Sequence, residues 1–325
     1  MRLFIAGAKG LGPWLLPLFQ GVPVEAVSHG DIRPRGGQWL GDLFHEDVYS
    51  GNVCRDLERG GRLDGLLYPV DRGGFESVSG GGRRTHDMGV IEQRGGFDHG
   101  IASRVNMLES FYYVQPWQTE LIPYLKSFLL DSGAFTFVYG ARKQVDLDYY
   151  LTSYIDYINR NDVGLFFELD VDKLVGYQRV LEYRERLERE TGKRSIPVWH
   201  ISRGKDEWLK MVREYDYVAL GGLAAKEFSN QERYIPWFTR TAHENGCKVH
   251  GLGYTKLPHL PYMGFDSVDS STWLVGNRGG FIYRYNHDGC RMAKVQAPKG
   301  KRLDARRAAR HNFMQWVELA EYLED

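Results

Sequence analysis

Short apolar runs alternating with amphipathic stretches across residues 128–273 restrict this chain more than any other feature. Phe128-Leu129-Leu130-Asp131-Ser132-Gly133-Ala134-Phe135 reads as a buried strand that ends in a carboxylate and a glycine turn. Residues 148–159 then carry apolar and aromatic side chains at helical spacing. Leu165-Phe166-Phe167-Glu168-Leu169-Asp170-Val171-Asp172 is the next strand, again ending in acids, and residues 177–190 form a charged amphipathic helix closed by Gly192. The pattern continues with strands at 196–201, 217–223 and 248–253, separated by helices at 205–214 and 231–245. Strands alternating with helices imply a parallel sheet with the helices outside it. So many repeats, with polar residues gathered at strand C-termini, favour an α/β fold of the (β/α)8 TIM-like barrel type over a doubly wound sheet. No Gly-x-Gly-x-x-Gly follows the first strand, Met1 to Gly7, which disfavours a dinucleotide fold as well.

The remaining chain is expected to decorate this one domain of 325 residues. After a short helix at 11–20, residues 28–104 are Gly-rich and use Arg but no Lys, in segments such as Arg35-Gly36-Gly37 and Arg94-Gly95-Gly96. Such segments occur in single-strand nucleic-acid binders. Nearby acids and apolar islands such as Leu66-Leu67-Tyr68 instead favour a folded, turn-rich insertion. Residues 108–114 and 121–125 read as packed helices. Residues 281–325 read as a hairpin around Asn286-His287-Asp288-Gly289 and a basic C-terminal helix. Across residues 291–310, Arg291, Lys294, Lys299, Lys301, Arg302, Arg306, Arg307 and Arg310 are opposed only by Asp304. With 42 basic and 42 acidic residues the net charge is zero, so a polyanion would be held by this local cluster and not by a global field. The competing reading is a solvated helix face.

Cys54, Cys247 and Cys290 lie far apart, which argues against a structural zinc site or a disulfide framework. The N-terminus lacks a signal peptide's apolar region, and no run approaches the ~20 residues of a membrane span. A cytoplasmic protein with no membrane partner is expected.

The last strand of the series carries the chemistry. In Gly264-Phe265-Asp266-Ser267-Val268-Asp269-Ser270-Ser271-Thr272-Trp273, period-two geometry puts Phe265, Ser267 and Asp269 on one face. Asp266, Val268 and Ser270 fall on the other. With Val268 toward the apolar side, Asp269 points into the centre; alternatively it caps the following segment through Ser270 and Ser271. In a barrel the strand ends converge on one mouth. That gathers Asp131, Asp170 (with Glu168 and Asp172 beside it), His200, Gly221, Gly222 and Asp269. Several carboxylates in one pocket suit chemistry at a sugar carbon, one attacking while another protonates the leaving group. The glycine pair lets a planar ligand approach bare backbone, with Phe135 and Leu223 to cover its faces. His250 and Trp199 read as core or as support behind the site, and Cys247 as a buried apolar residue.

At these residues the chain resembles the tRNA-guanine transglycosylase (queuine tRNA-ribosyltransferase) superfamily. Asp131-Ser132-Gly133-Ala134-Phe135 is similar to that family's D-S-G-G-F. Ala219-Leu220-Gly221-Gly222-Leu223-Ala224-Ala225-Lys226-Glu227 is similar to its G-G-L-A-V-G-E, and Gly264 to Ser270 to its G-V-D-M-F-D-C. The likeness spans residues 106–273. Two departures accompany it: Cys290 alone stands where the tRNA enzymes carry a C-x-C-x-x-C…His zinc site, and the 28–104 insertion has no counterpart. Both make the chain more similar to the compact phage-encoded branch, associated with 7-deazaguanine bases in DNA.

The resemblance implies a double displacement. Asp269 would attack C1′ of a guanosine nucleotide and Asp131 would act as acid and then base. Asp170 (or Glu168 or Asp172) and His200 would contact the base edge. Gly221, Gly222, Leu223, Ser132 and Phe135 would complete the base pocket. The implied partners are DNA, alternatively tRNA, and guanine or a 7-deazaguanine such as preQ0. No metal or redox cofactor is expected, and the compartment would be the host cytoplasm if the chain is phage-encoded. A nucleoside or glycoside hydrolase and a non-enzymatic nucleic-acid-binding subunit are the competing classes. The oligomeric state stays open.

Overall fold

The computed structural model of the chain describes residues 1–8, 15, 19, 99–134, 136, 145–223, 232–286, 291–297 and 303–325. The 28–104 insertion therefore lies outside the described residues apart from its last six. Of the 11–20 segment, only Leu15 and Phe19 are described; both are helical and fully buried.

Eight strands form one parallel sheet in the order β4-β3-β2-β1-β8-β7-β6-β5. They are β1 (Arg2–Ala6), β2 (Asn106–Ser110), β3 (Ser127–Asp131), β4 (Leu165–Phe166), β5 (Val198–Trp199), β6 (Tyr217–Leu220), β7 (Lys248–Gly251) and β8 (Ser267–Ser270). Chain order is kept on either side of the β1–β8 pair, which brings the first and last strands together as a (β/α)8 arrangement requires. The strand ladder itself does not close between β4 and β5. One isolated parallel bridge, Phe167 to Ile196, spans them, with Ile196 donating to the Phe166 carbonyl and Glu168 to the Ile196 carbonyl.

Alternation along the strands separates two apolar layers. Phe4, Ala6, Leu108, Leu129, Phe167, Ile196, Val198 and Ala219 form one cluster drawn from strands around the whole sheet. The other residues of the same strands, among them Leu3, Ile5, Met107, Leu130, Val218, Val249 and Val268, pack in the larger cluster with the helices. Leu3, Phe4 and Ile5 are at most 1% exposed, and burying each such side chain contributes about 1.5–3 kcal/mol.

The helices α2 (Leu147–Arg160), α3 (Tyr177–Thr191), α4 (Gly204–Glu214) and α5 (Ile235–Glu244) follow the strands as the periodicity predicts, while α1 (Pro116–Leu121) falls between the two segments expected as helices. Asp146 caps α2 by accepting the Tyr149 N–H at 3.0 Å, and Gly192 closes α3 in the left-handed conformation. The aromatic residues of α2 are packing elements, with Tyr150, Tyr154 and Tyr157 all buried.

Residues 108–114, expected as a helix, are not one: Asn106–Ser110 form β2 and 111–113 a turn. The segment Asn106-Met107-Leu108-Glu109-Ser110 has no turn signal inside it, and its Met107 and Leu108 face the two different layers. Pairing to both β1 and β3 decides the conformation over local propensity. Segment 121–125 contributes a single 3-10 turn, Ile122–Tyr124.

After β8 come α6 (Trp273–Gly279), the antiparallel hairpin β9 (Phe281–Asn286) and β10 (Arg291–Gln296), and α7 (Ala305–Glu324). Asp304 caps α7, accepting from Arg307 N at 2.9 Å. The amine of Met1 donates to the Leu323 carbonyl at 2.7 Å, while Phe313 meets Trp273, whose indole N–H donates to the Ala6 carbonyl. Helix α7 thus runs antiparallel to β1, its first turns on the side where the strands end. Among the described residues no helix is long and apolar enough to cross a membrane.

Candidate active site

The strand-end carboxylates come together. Asp269 on β8 shares a face with Ser267, while Val268 packs in the outer layer. Asp269 does not cap the next segment: the helix that begins at Trp273 has Thr272 at its N-cap with no side-chain cap bond, and Ser270 Oγ accepts from Thr272 N at 3.1 Å. Instead Asp269 Oδ1 accepts from Gly253 N at 2.6 Å and faces His250 Nε2 at 3.3 Å. Phe265, expected beside Asp269, lies ahead of the strand and packs with Tyr254 in the outer cluster, where its ring fills the space above Gly251.

Asp131, the last residue of β3, has its carboxyl pushed up to about 6. Burial is the largest cause, followed by the opposing Gly133 N–H bond; the charge of Asp269 raises it, Ser110 lowers it, and the charge of Asp170 raises it again. The charges of Asp269 and Asp170 therefore both reach Asp131 across the mouth. The turn after Asp131 needs its glycine: Gly133 has φ +80°, and a Cβ there would stand 2.7 Å from Tyr112 Cβ. Ser132 is buried, and its Oγ has no hydrogen-bond partner among the described residues.

Of the three acids after β4, the geometry separates Asp170 from its neighbours. Glu168 is wholly buried, accepting from Arg184 Nε at 2.6 Å, Arg203 at 2.8 Å and Val198 N at 2.8 Å. Burial opposes its charge, but Arg203 and Arg184 outweigh it and hold the carboxyl below the usual range. Asp172 is taken by Arg203 Nε at 3.3 Å. Asp170 keeps a partly exposed carboxylate, 2.5 Å from His200 Nε2 and 2.9 Å from Arg203. Burial would lower the His200 pKa, yet its bond to Asp170 and the Asp170 charge raise it. Burial, the largest cause, raises the Asp170 carboxyl above its usual range, opposed by its bond to His200 and by the His200 and Arg203 charges.

Arg203, which no sequence pattern marked, organises this corner. Its guanidinium is 1% exposed, bonds Glu168, Asp170 and Asp172 together, and lies 4.4 Å from the centroid of the Tyr177 ring. Replacing it with methionine leaves Glu168 buried with one arginine and frees Asp170. A loss of about 3–5 kcal/mol in urea unfolding is expected. Arg203→Lys recovers little of it, because an ammonium cannot span three carboxylates.

The first glycine of the pair has a different neighbour from the one expected. A Cβ on Gly221 would meet His200 Cε1 at 2.5 Å and Val198 Cγ1 at 2.8 Å, so the planar group lying on its backbone is the His200 imidazole. Gly222, with φ +75°, is exposed, and Leu223 is half-buried against the core. Phe135 lies outside the described residues.

Of the basic cluster, Arg291, Lys294, Arg306 and Arg307 are exposed, and Lys294 sits over the Phe281 ring at 5.1 Å. Arg310 is 3% exposed and leaves the surface set; burial and Arg306 lower its pKa. Lys299, Lys301 and Arg302 lie outside the described residues. The hairpin packs on α7 through Tyr283, whose N–H donates to Asn312 Oδ1 at 2.8 Å, so the exposed bases share one adjoining pair of elements.

His250, Trp199 and Cys247 are all buried. A cavity of about 230 Å³ lined by Leu3, Ser270, Thr272, Tyr283, Met292 and Trp316 lies behind β8, on the face opposite Asp269, and is separate from the carboxylate site. No family model matches the chain, and no curated protein matches it.

Proposed function

We propose that the chain is a base-exchange transglycosylase that replaces guanine in DNA with a 7-deazaguanine through a covalent aspartyl-glycosyl intermediate. The observation that carries this reading is the Asp131 carboxyl, raised to about 6 by burial and by the charges of Asp269 and Asp170. One acid is thereby poised to hold and release a proton beside a second acidic side chain. That is the division of labour a nucleophile and an acid–base partner need at a glycosidic carbon.

In the first step Asp269 attacks C1′, the C1′–N9 bond breaks with its electron pair on the base, and Asp131 protonates the departing guanine. In the second, Asp131 takes the proton from the incoming base, whose N9 attacks C1′ and expels the Asp269 carboxylate. Two inversions give retention. A pKa near the working pH serves both directions of proton transfer. Asp170 uses lone pairs left free by His200 and Arg203 to accept from the N–H groups of the base edge. Ser132, with its hydroxyl unpartnered, and the bare backbone of Gly222 and Leu223 supply the rest of the pocket. A guanine in duplex must first leave the stack, at a cost of a few kcal/mol. Contacts from Arg291, Lys294, Arg306 and Arg307 to phosphate offset that cost; α7 begins on the mouth side of the sheet, so these bases lie near the strand ends.

The test is transfer of radiolabelled guanine into duplex DNA and bulk tRNA side by side, with free guanine release followed in the same tubes. Label in DNA supports the reading, and label in tRNA alone overturns the choice of nucleic acid. Guanine release without incorporation replaces transfer by hydrolysis. A second expectation concerns salt. Charge removal at Arg291, Lys294, Arg306 and Arg307 should weaken DNA binding and flatten the plot of log K against log salt by about 3 to 4, since each phosphate contact contributes roughly 0.9 to the slope. An unchanged slope excludes this surface as the interface.

A further inference from the structure

A chain of hydrogen bonds behind Asp269 has no part in the double displacement as described. The Tyr217 hydroxyl meets Ser267 Oγ, Ser267 Oγ lies 2.5 Å from His250 Nδ1, and His250 Nε2 lies 3.3 Å from Asp269 Oδ1. His250 is 0% exposed, and the rings of Phe4 and Phe167 stand 6.0 and 5.2 Å from its own. Chemistry at the ends fixes the direction of each bond. A carboxylate only accepts, so the imidazole hydrogen is on Nε2. A neutral ring then offers a lone pair at Nδ1, which the Ser267 hydroxyl fills as donor, and the Ser267 oxygen accepts from the Tyr217 phenol. Burial, the largest cause, pushes that phenol up to about 12, so it keeps its hydrogen.

We propose that Tyr217, Ser267 and His250 form a positioning relay that commits Oδ1 of Asp269 and leaves Oδ2 as the attacking oxygen, an assignment that rests on the transglycosylase reading. Oδ1 faces two donors, Gly253 N–H and His250 Nε2–H, while Oδ2 accepts no hydrogen bond from a described residue. An oxygen with uncommitted lone pairs is the better nucleophile, and a carboxylate held at its other oxygen cannot rotate away from C1′. Once the ester forms, Oδ1 is its carbonyl oxygen. The same two donors then face the atom on which negative charge returns when the second displacement expels the carboxylate. His250 is a positioning residue here: it acts through Asp269 and touches no substrate.

The relay is tested by ¹⁵N NMR of histidine-labelled full-length protein, with the His250 signal assigned by its loss in His250→Gln. The expected wild-type state is the Nε2–H tautomer. Ser267→Ala, which removes the donor to Nδ1, should shift the ring toward the Nδ1–H tautomer, turning a lone pair toward the carboxylate. In single-turnover transfer of radiolabelled guanine into duplex DNA, Ser267→Ala and Tyr217→Phe should slow adduct formation while leaving KM for guanine unchanged. His250→Leu should lower kcat by about 10²-fold, the scale of one lost donor at a developing oxyanion. His250→Gln, which keeps an N–H, should recover part of that loss. An Nδ1–H tautomer in the wild type overturns the relay, as does a His250→Leu variant with wild-type kcat. If the wild type transfers no guanine to any nucleic acid, the transglycosylase reading fails, and the tautomer still decides whether the relay exists.

Discussion

Asp269→Ala should yield a folded protein that forms no covalent adduct with guanine-containing DNA and has lost exchange by on the order of 10⁴-fold or more, the scale expected when the nucleophile of a covalent mechanism is removed. The substitution leaves the Gly253 N–H and His250 without their shared acceptor at a site 13% exposed, so a loss of only about 1–2 kcal/mol in stability is expected. Denaturing gels that trap the adduct, run beside unfolding curves, separate loss of chemistry from loss of fold. The variant carries a further signature. Asp269 is one cause of the raised Asp131 pKa, so Asp131 should titrate lower in its absence. Full exchange activity in Asp269→Ala would end the proposed mechanism.

Asp131→Asn should be inactive and, at neutral pH, more stable than the wild type. An unfolded aspartate titrates near its ordinary value of 3.8, while folded Asp131 titrates at about 6. Between those values the folded state keeps a proton that the unfolded chain has lost, so stability declines as pH rises through the window. Above about pH 6 the folded protein carries the whole penalty, about 3 kcal/mol at roughly 1.4 kcal/mol per pKa unit. Asparagine carries none of it. The two unfolding free energies should therefore converge below about pH 4 and separate above about pH 6, with the variant ahead. Activity should move the other way, falling by about 10²–10⁴-fold for loss of a general acid–base group. A variant less stable than the wild type at pH 8 would mean that Asp131 is not held against its charge.

Asp131 was legible because it ends the apolar run Phe128-Leu129-Leu130, and Asp269 because period-two alternation about Val268 settles which face it takes. The helices were legible as periodic stretches, one of them closed by Gly192. What was missed depends on contacts between distant segments. Leu108 to Ser110 resembles the start of a helix until β1 and β3 are beside it. Arg203, a lone arginine between Ser202 and Gly204, shows its importance only when Glu168, Asp170 and Asp172 arrive on it. The true neighbour of Gly221 is His200, the residue just after β5, and no local pattern carries that. Likewise, the alternation that placed Asp269 was extended one turn too far, to Phe265, since the ladder begins only at Ser267.

The position of β1 bears on how the chain comes to be folded. Its neighbours are β2, which begins at Asn106, and β8, which begins at Ser267. At about 5–20 residues per second, a ribosome needs roughly 5–20 s after making β1 to deliver the first partner and about 13–50 s to deliver the second. Until β2 is made, Leu3, Phe4 and Ile5 have neither edge paired, and one edge then waits for β8. The sheet is completed by its most sequence-distant contact, which places this molecule among slow folders whose nascent chains need shielding. Raising the translation rate or supplying a holdase should therefore increase soluble yield more than any substitution at the mouth.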